Sequence, residues 1–417
     1  MSYAIKAGKL IDGTGAEPLE NVVVLVEKDR ISRVGGGSEV QIPEGYEVID
    51  ASHKTLLPGF IDAHVHVQGS GEPDDPVFGR GGNALVSQPE LVLRALKNVQ
   101  KSLKAGFTTL RNCSSPYRID VDLRNAIDKG DFVGPRIWTS GYGLTSTCGH
   151  MDQDKKLAYH THLDMEDDPC DSPDQARVAV MKNLNKNVDF IKMNVTVGEY
   201  NFNYMAKNAP EMTLETMKML ISWAHYHGRK VTGHGHDGLG IDFALEAGID
   251  GIEHGSFLTD AQIEKMAKQG TVLCPTTSVL FNQEPYLEQD LKDDPRLLGW
   301  YKYSLDNVPD TVARARKAGV RIIAGCDTAM PYCKHGTNAT EMAGLVRCGL
   351  TPMEAIVAAT GGAADGIGIP DVGYIKEGKY ADLVIFDGDP LEDITKLQDQ
   401  SLITLVMKGG EIVEDKR

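Results

Sequence analysis

Apolar and polar positions alternate with a period of two near both ends of this chain. Between the ends, apolar runs of strand length take turns with stretches of helical period. At the start, Leu10-Ile11 runs into the turn Asp12-Gly13. Val22-Val23-Val24-Leu25-Val26-Glu27 reads as a strand, and Lys28-Asp29-Arg30 turns back into Ile31-Ser32-Arg33-Val34. Glu47-Val48-Ile49-Asp50 adds a further short strand. Alternating runs bounded by turn residues are the signature of a small β unit.

From Gly59 the pattern changes. Apolar strand-length runs fall at 59–66, 107–112, 136–142, 189–195, 230–235, 250–255, 271–276 and 320–327. Helical stretches between them fall at 89–105, 173–187, 213–227, 238–247, 259–269, 306–318 and 338–348. Thr351-Pro352-Met353-Glu354 is a capping box with proline at the first helical position. Eight strands, each followed by a helical stretch, predict an α/β fold of the (β/α)8 (TIM) barrel type. The tail returns to β with Asp382-Leu383-Val384-Ile385-Phe386-Asp387, the turn Gly388-Asp389-Pro390, and Ile403-Thr404-Leu405-Val406-Met407. Head and tail, residues 1–57 with 366–417, are expected to pair into one small β-sandwich domain beside a barrel over 58–365. The loops 67–88, 143–172 and 277–304 exceed the usual two to six residues of a βα connection. All three leave the C-terminal ends of strands, where barrel active sites lie, and are expected to wall the substrate pocket.

Chemistry-bearing residues recur at those same strand ends. Gly59-Phe60-Ile61-Asp62-Ala63-His64-Val65-His66 carries an apolar run into His64 and His66, which share a strand face because residues i and i+2 point the same way. Phe190-Ile191-Lys192-Met193-Asn194 places a lysine inside an apolar strand. A buried amine favours its neutral form, which reacts with carbon dioxide to give a carbamate; alone, the same lysine reads as one reaching solvent or a substrate carboxylate. Lys230-Val231-Thr232-Gly233-His234-Gly235-His236 is a second His-x-His, Gly251-Ile252-Glu253-His254-Gly255 ends in His254, and Ile322-Ile323-Ala324-Gly325-Cys326-Asp327 ends in Asp327. One histidine pair has a bland reading as buried imidazoles satisfying backbone groups. Nitrogen and oxygen donors from five strand ends at one barrel face instead predict a metal site, with zinc the default ion.

Composition narrows the partners. The chain has 417 residues, 41% hydrophobic and 24% charged, as a globular protein requires. A net charge of −16 argues against nucleic acid or an anionic membrane as partner. The seven cysteines are scattered, odd in number and without a CxxC pair, which fits a reducing, cytoplasmic compartment. No basic-apolar leader opens the sequence, and no apolar run approaches membrane-spanning length.

Three stretches carry a family resemblance. Leu56-Leu57-Pro58-Gly59-Phe60-Ile61-Asp62-Ala63-His64-Val65-His66 resembles the first-strand signature of the amidohydrolase superfamily, Gly106-Phe107-Thr108-Thr109-Leu110-Arg111 its second strand, and Gly373-Tyr374-Ile375-Lys376-Glu377-Gly378-Lys379-Tyr380-Ala381-Asp382-Leu383-Val384 its C-terminal return. Within it, the chain looks most like the imidazolonepropionase-like branch that includes Xaa-Pro dipeptidases and related carboxypeptidases. The resemblance implies two divalent ions. His64, His66 and Asp327 would hold one, His234 and His254 the other, with carbamylated Lys192 and a hydroxide between them. The hydroxide would attack an amide carbonyl, and Asp327 would pass its proton to the leaving amine. The reverse assignment of His234 and His236 stays open, since both share a strand face. The resemblance also implies that His150 donates to the substrate carbonyl, against the alternative of a loop histidine in water. Tyr200 and Tyr204 are further catalytic candidates for hydrogen bonds to substrate. His236 and Arg111 are candidate substrate-binding residues, Arg111 equally a structural ion-pair partner. The implied substrate is a small molecule, a dipeptide or N-acyl amino acid, and the implied assembly a homo-oligomer. Hydrolysis or deamination of a ring is the alternative chemistry; a non-enzymatic scaffold would be expected to have lost ligands. His160 and His162 read as surface residues, His225 and His227 as structural, and Cys326 as barrel packing. Gly79-Arg80-Gly81-Gly82 is not a phosphate loop, because neither a preceding strand nor a following lysine–serine pair accompanies it.

Overall fold

The computed structural model describes residues 2–73, 75, 86–147, 149–152, 169–196 and 209–417. The head consists of β1 (Ser2–Leu10), β2 (Leu19–Glu27), β3 (Arg30–Gly36) and β4 (Glu47–Pro58). A middle series follows: β5 (Phe60–Val65), α1 (Gln88–Lys104), β6 (Phe107–Asn112), α2 (Ile119–Asp128), β7 (Arg136–Thr139), α3 (Pro173–Leu184), β8 (Ile191–Asn194), α4 (Leu214–Tyr226), β9 (Val231–Gly235), α5 (Gly238–Glu246), β10 (Gly251–His254), α6 (Asp260–Gln269) and β11 (Val272–Cys274). Six helices come next: α7 (Thr277–Gln283), α8 (Leu287–Asp290), α9 (Pro295–Lys317), α10 (Thr340–Arg347), α11 (Pro352–Ala358) and α12 (Gly361–Ile367). The tail is β12 (Leu383–Phe386), β13 (Ile403–Lys408) and β14 (Glu411–Asp415).

Head and tail do join. They form one seven-stranded sheet in the order β14-β13-β12-β4-β1-β2-β3, with β4 antiparallel to β12 through pairs such as Leu56 with Ile385. This replaces the sandwich expected from the alternation: all seven strands share one hydrogen-bonded sheet. The period of two still decides its faces. Val22, Val24 and Val26 pack with Ile5, Ile49 and Leu383, while Val23 and Leu25 turn to the other side against Val40.

The middle strands form two parallel sheets, β5-β6-β7 and β11-β10-β9-β8. Single parallel bridges, Leu144 with Met193, Leu273 with Ile322 and Val65 with Thr328, run beside their outer strands. The eighth strand expected over 320–327 is therefore present only as bridges. Ile323 N–H and Asp327 N–H do donate to the neighbouring strands, at the Leu273 and His64 carbonyls, but Ala324 N–H donates to the Ala358 carbonyl and Cys326 N–H to the Asp62 carboxylate. Positive φ at Asp327 (53°) and Ala329 (90°) then ends the extended run.

Every residue of β5 is buried, consistent with a strand covered on both faces. Close packing fixes small residues nearby: a Cβ on Gly240 in α5 would overlap the Val195 carbonyl just beyond β8. The expected capping box at Thr351 and Glu354 is formed, and Thr259 with Gln262 makes another. The expected loop 277–304 is largely helical, and α9 begins at 295, well before the expected 306. Asp294 caps it, Pro295 occupies its first turn, and the buried series Trp300, Tyr301, Ser304, Val308, Thr311, Val312 and Ala315 runs past the internal Pro309. Among the described residues, no helix is long and apolar enough to cross a membrane.

Candidate metal centre

His64 and His66 leave the end of β5 with their ring centroids 5.4 Å apart. Asp327 comes to meet them: its Oδ1 lies 3.5 Å from His64 Nε2 and 3.3 Å from His66 Nε2. One donor atom from each of the three lies within 4.8 Å of the others. Asp327 Oδ1 is buried and makes no good hydrogen bond among the described residues. Burial pushes the Asp327 carboxyl up, but the His64 and His66 rings outweigh it and hold it at about 2. The residue keeps a left-handed φ of 53°, a strain that persists only where surrounding contacts hold it.

His234 on β9 and His254 on β10 complete the cluster. Their ring centroids are 4.5 Å apart, and His254 lies 5.2 Å from His64. His254 Nδ1 is 2.7 Å from Thr276 Oγ1, and both residues have positive φ, 71° and 50°. His234 Nε2 is buried with no hydrogen-bond partner among the described residues. Burial first, and neighbouring imidazoles second, hold His234 and His254 well below the ordinary histidine pKa. Burial likewise lowers His64 to about 4. Neutral imidazoles with unshared nitrogen lone pairs, beside an ionised carboxylate, are the donor set a divalent ion requires. Lys192 on β8 is buried two residues along the strand pair from this group: it pairs with Thr232, and Asn194 with His234. Its carbonyl accepts from the Leu144 N–H, while its side-chain amine makes no hydrogen bond or ion pair among the described residues.

A second convergence, His64 with Glu253 and Cys274, also lies within 4.8 Å. Here the Arg111 guanidinium contacts Glu253 Oε1, a cation already in place. Of the two readings of Arg111, substrate binder or structural ion-pair partner, this contact is the ion pair. It is buried, donates to the Ala63 carbonyl and lies over the Phe190 ring at 5.3 Å. Burial raises the Glu253 pKa, but Arg111 and His64 prevail and hold it well below the usual carboxylate range.

The remaining candidates divide. The His150 ring stacks on His234 at 3.9 Å and 17°, which brings it to the cluster. His236 Nδ1 lies 2.8 Å from Ser256 Oγ, and its ring meets Trp300 edge-on at 5.2 Å. Tyr200 and Tyr204, like His160, His162 and Gly79 to Gly82, lie outside the described residues. His225 pairs with Asp250 at 2.7 Å, away from the cluster. Cys326 is buried beside Thr340.

Three carboxylates escaped notice in the sequence. Asp62 accepts from the backbone N–H of His64 and of Cys326 and from Asn338 Nδ2, tying β5 to the segment that carries Asp327. Burial pushes it up to about 7. Glu211 accepts from the backbone N–H of Ser146 and His150 and so holds the turn that presents His150. Glu253 Oε2 lies 2.7 Å from His64 Nδ1. Its one available signal was a charge inside the apolar run Gly251-Ile252-Glu253-His254.

Residues 55–413 match the family described as Amidohydrolase family. This chain belongs to the amidohydrolase family. The amidohydrolase is similar to the ochratoxinase of Aspergillus niger, at 30% identity over 434 residues, covering 98% of this chain and 86% of the relative. It is also similar to an imidazolonepropionase of Fusobacterium nucleatum subsp. nucleatum, at 24% identity, covering 88% and 85%. Among solved structures, a Xaa-Pro dipeptidase with bound methionine in the active site superposes with a TM-score of 0.88 at 29% identity, covering 99% of this chain and 100% of that one. The amidohydrolase is accordingly a hydrolase acting on carbon–nitrogen bonds, in the family expected from its motifs.

Proposed function

We propose that this amidohydrolase cleaves the amide bond of a dipeptide or N-acyl amino acid, at a site where two divalent ions, zinc by default, are held side by side. We read the two parallel sheets and their bridges as a (β/α)8 barrel spanning 58–365, with 1–57 and 366–417 as its companion domain. The observation that carries the functional reading is the convergence of His64, His66 and Asp327 beside His234 and His254, with Asp327 Oδ1 and His234 Nε2 buried and unsatisfied. Buried polar atoms without partners are costly, and two bound cations would satisfy one each.

In this reading His64, His66 and Asp327 hold one ion and His234 and His254 the other. Lys192, carbamylated by carbon dioxide, would supply the shared carboxylate. Such ions supply Lewis acidity and a water acidified towards neutral pH. Asp327, kept ionised, accepts the proton of the attacking water and returns it to the departing amine nitrogen. His150, anchored through its backbone to Glu211, donates to the oxygen of the scissile carbonyl as negative charge develops there. The names of two relatives, Xaa-Pro dipeptidase and ochratoxinase, support an amide substrate.

The test is to load the enzyme with zinc and screen a library of dipeptides, N-acyl amino acids and cyclic amides, with metal counted per chain. Turnover of linear amides with about two ions per chain is expected. Turnover confined to cyclic amides, or full activity with one ion per chain, would overturn the reading.

A further inference from the structure

Glu253 occupies a place that nothing in catalysis demands. It is fully buried, one residue before His254 on β10, and its carboxylate faces across the interior to β5. Its Oε2 lies 2.7 Å from His64 Nδ1, while Oε1 accepts from Arg111 of β6 and Thr232 of β9. Arg111 also donates to the carbonyl of Ala63, the residue before His64. Four strands therefore meet at one carboxylate.

We propose that Glu253 is a positioning residue that commits His64 to the Nδ1-protonated tautomer, with Arg111 as the counter-charge that keeps the carboxylate an acceptor. An ionised carboxylate can only accept, so the hydrogen of this contact belongs to His64 Nδ1. Nε2 then carries the lone pair, and Nε2 is the nitrogen that faces Asp327. The commitment matters because His64 stands between two donor sets: Asp327 with His66 on one side, Glu253 with Cys274 on the other. The guanidinium on Glu253 bars a cation from the second set and leaves the first. Partners of this kind orient a metal-binding imidazole and raise its basicity, and their loss costs about 10- to 100-fold in metal affinity.

This inference rests on the reading of His64 as a metal ligand, and the test separates the two. Removing Glu253 alone would leave Arg111 buried without a counter-charge, so both charges are removed together. R111M/E253L has no acceptor for Nδ1–H; R111M/E253Q restores an acceptor oxygen. Zinc affinity is measured by chelator competition, and folding by circular dichroism. The expected result is zinc binding weakened by about 10-fold or more in folded R111M/E253L and largely recovered in R111M/E253Q. Affinity within about threefold of the wild type in folded R111M/E253L would overturn the proposal. A second measurement needs no change at Arg111 or Glu253. In the metal-free wild type, the nitrogen-15 resonances of His64, assigned by comparison with H64N, should report hydrogen on Nδ1. Hydrogen on Nε2 would overturn the proposal even if R111M/E253L does not fold. A wild type that binds no zinc would refute the metal reading instead, and the tautomer measurement would still decide this one.

Discussion

Single residues near the candidate centre show how burial and hydrogen bonding compete for one proton. Glu341 on α10 is buried and accepts from the backbone N–H and hydroxyl of both Thr277 and Ser278. Burial pushes its carboxyl up to about 7, although each of those donors pulls it down. The folded-state value lies above the ordinary 4.5, so the folded chain holds the proton more tightly than the unfolded one between those limits. Its stabilising contribution is complete below about pH 4.5 and is lost as pH rises through about 7. Between pH 6 and pH 8 the wild type should lose about 1 kcal/mol relative to E341Q, which has no proton to release. Urea unfolding of both proteins at the two pH values checks this; parallel curves would refute it. His64 and His66, by contrast, declared themselves in the sequence, because a two-residue spacing on an apolar strand already determines that both rings share a face.

At the scale of elements, α9 changes the picture most. Its start signal, Asp294 before Pro295, stands in the sequence, yet Pro309 splits its apolar series into pieces that look short. The helix brings Trp300 against His236 and buries its indole among core residues. W300A should cost about 3–5 kcal/mol of stability, the usual range for a large buried aromatic. W300F keeps a ring at the same place and should retain most of that stability. Thermal unfolding of the two variants distinguishes packing from a mere surface contact, for which both would unfold like the wild type. The strand–helix alternation from β5 to β11 was legible because each run has its own period. The incompleteness of the last strand was not, because Ala324 and Cys326 turn their backbone donors to α11 and the Asp62 carboxylate, partners distant in sequence.

Over the whole molecule, the candidate donors come from β5, β8, β9, β10 and the segment ending at Asp327. Ions held among them would tie both parallel sheets together. A ligand that binds only the folded chain stabilises it by mass action, about 4 kcal/mol at a thousandfold excess over its dissociation constant. Chelation should therefore abolish turnover and also lower the melting temperature, with both restored by zinc. A chelated enzyme that melts at the temperature of the loaded one would show that no ion links these strands. The seven-stranded sheet adds a separate constraint. β12 pairs with both β4 and β13, so the tail is part of the same hydrogen-bonded layer as the head.

The sequence by itself determined whatever depends on local periodicity: the β head and tail, the alternating middle, and the placing of His64, His66, Lys192, His234 and His254 on strands of the middle or at their ends. A period of two or of 3.6 is written in consecutive residues, and a strand end follows from where the apolar run stops. Only the tertiary structure decided how distant groups share protons. Glu253 with His64 and Arg111, Asp62 with Asn338, and Glu211 with His150 are separated by dozens to hundreds of positions. No local pattern couples them; the meeting of strands in a low-dielectric interior does, because there an unpaired charge is too costly to persist.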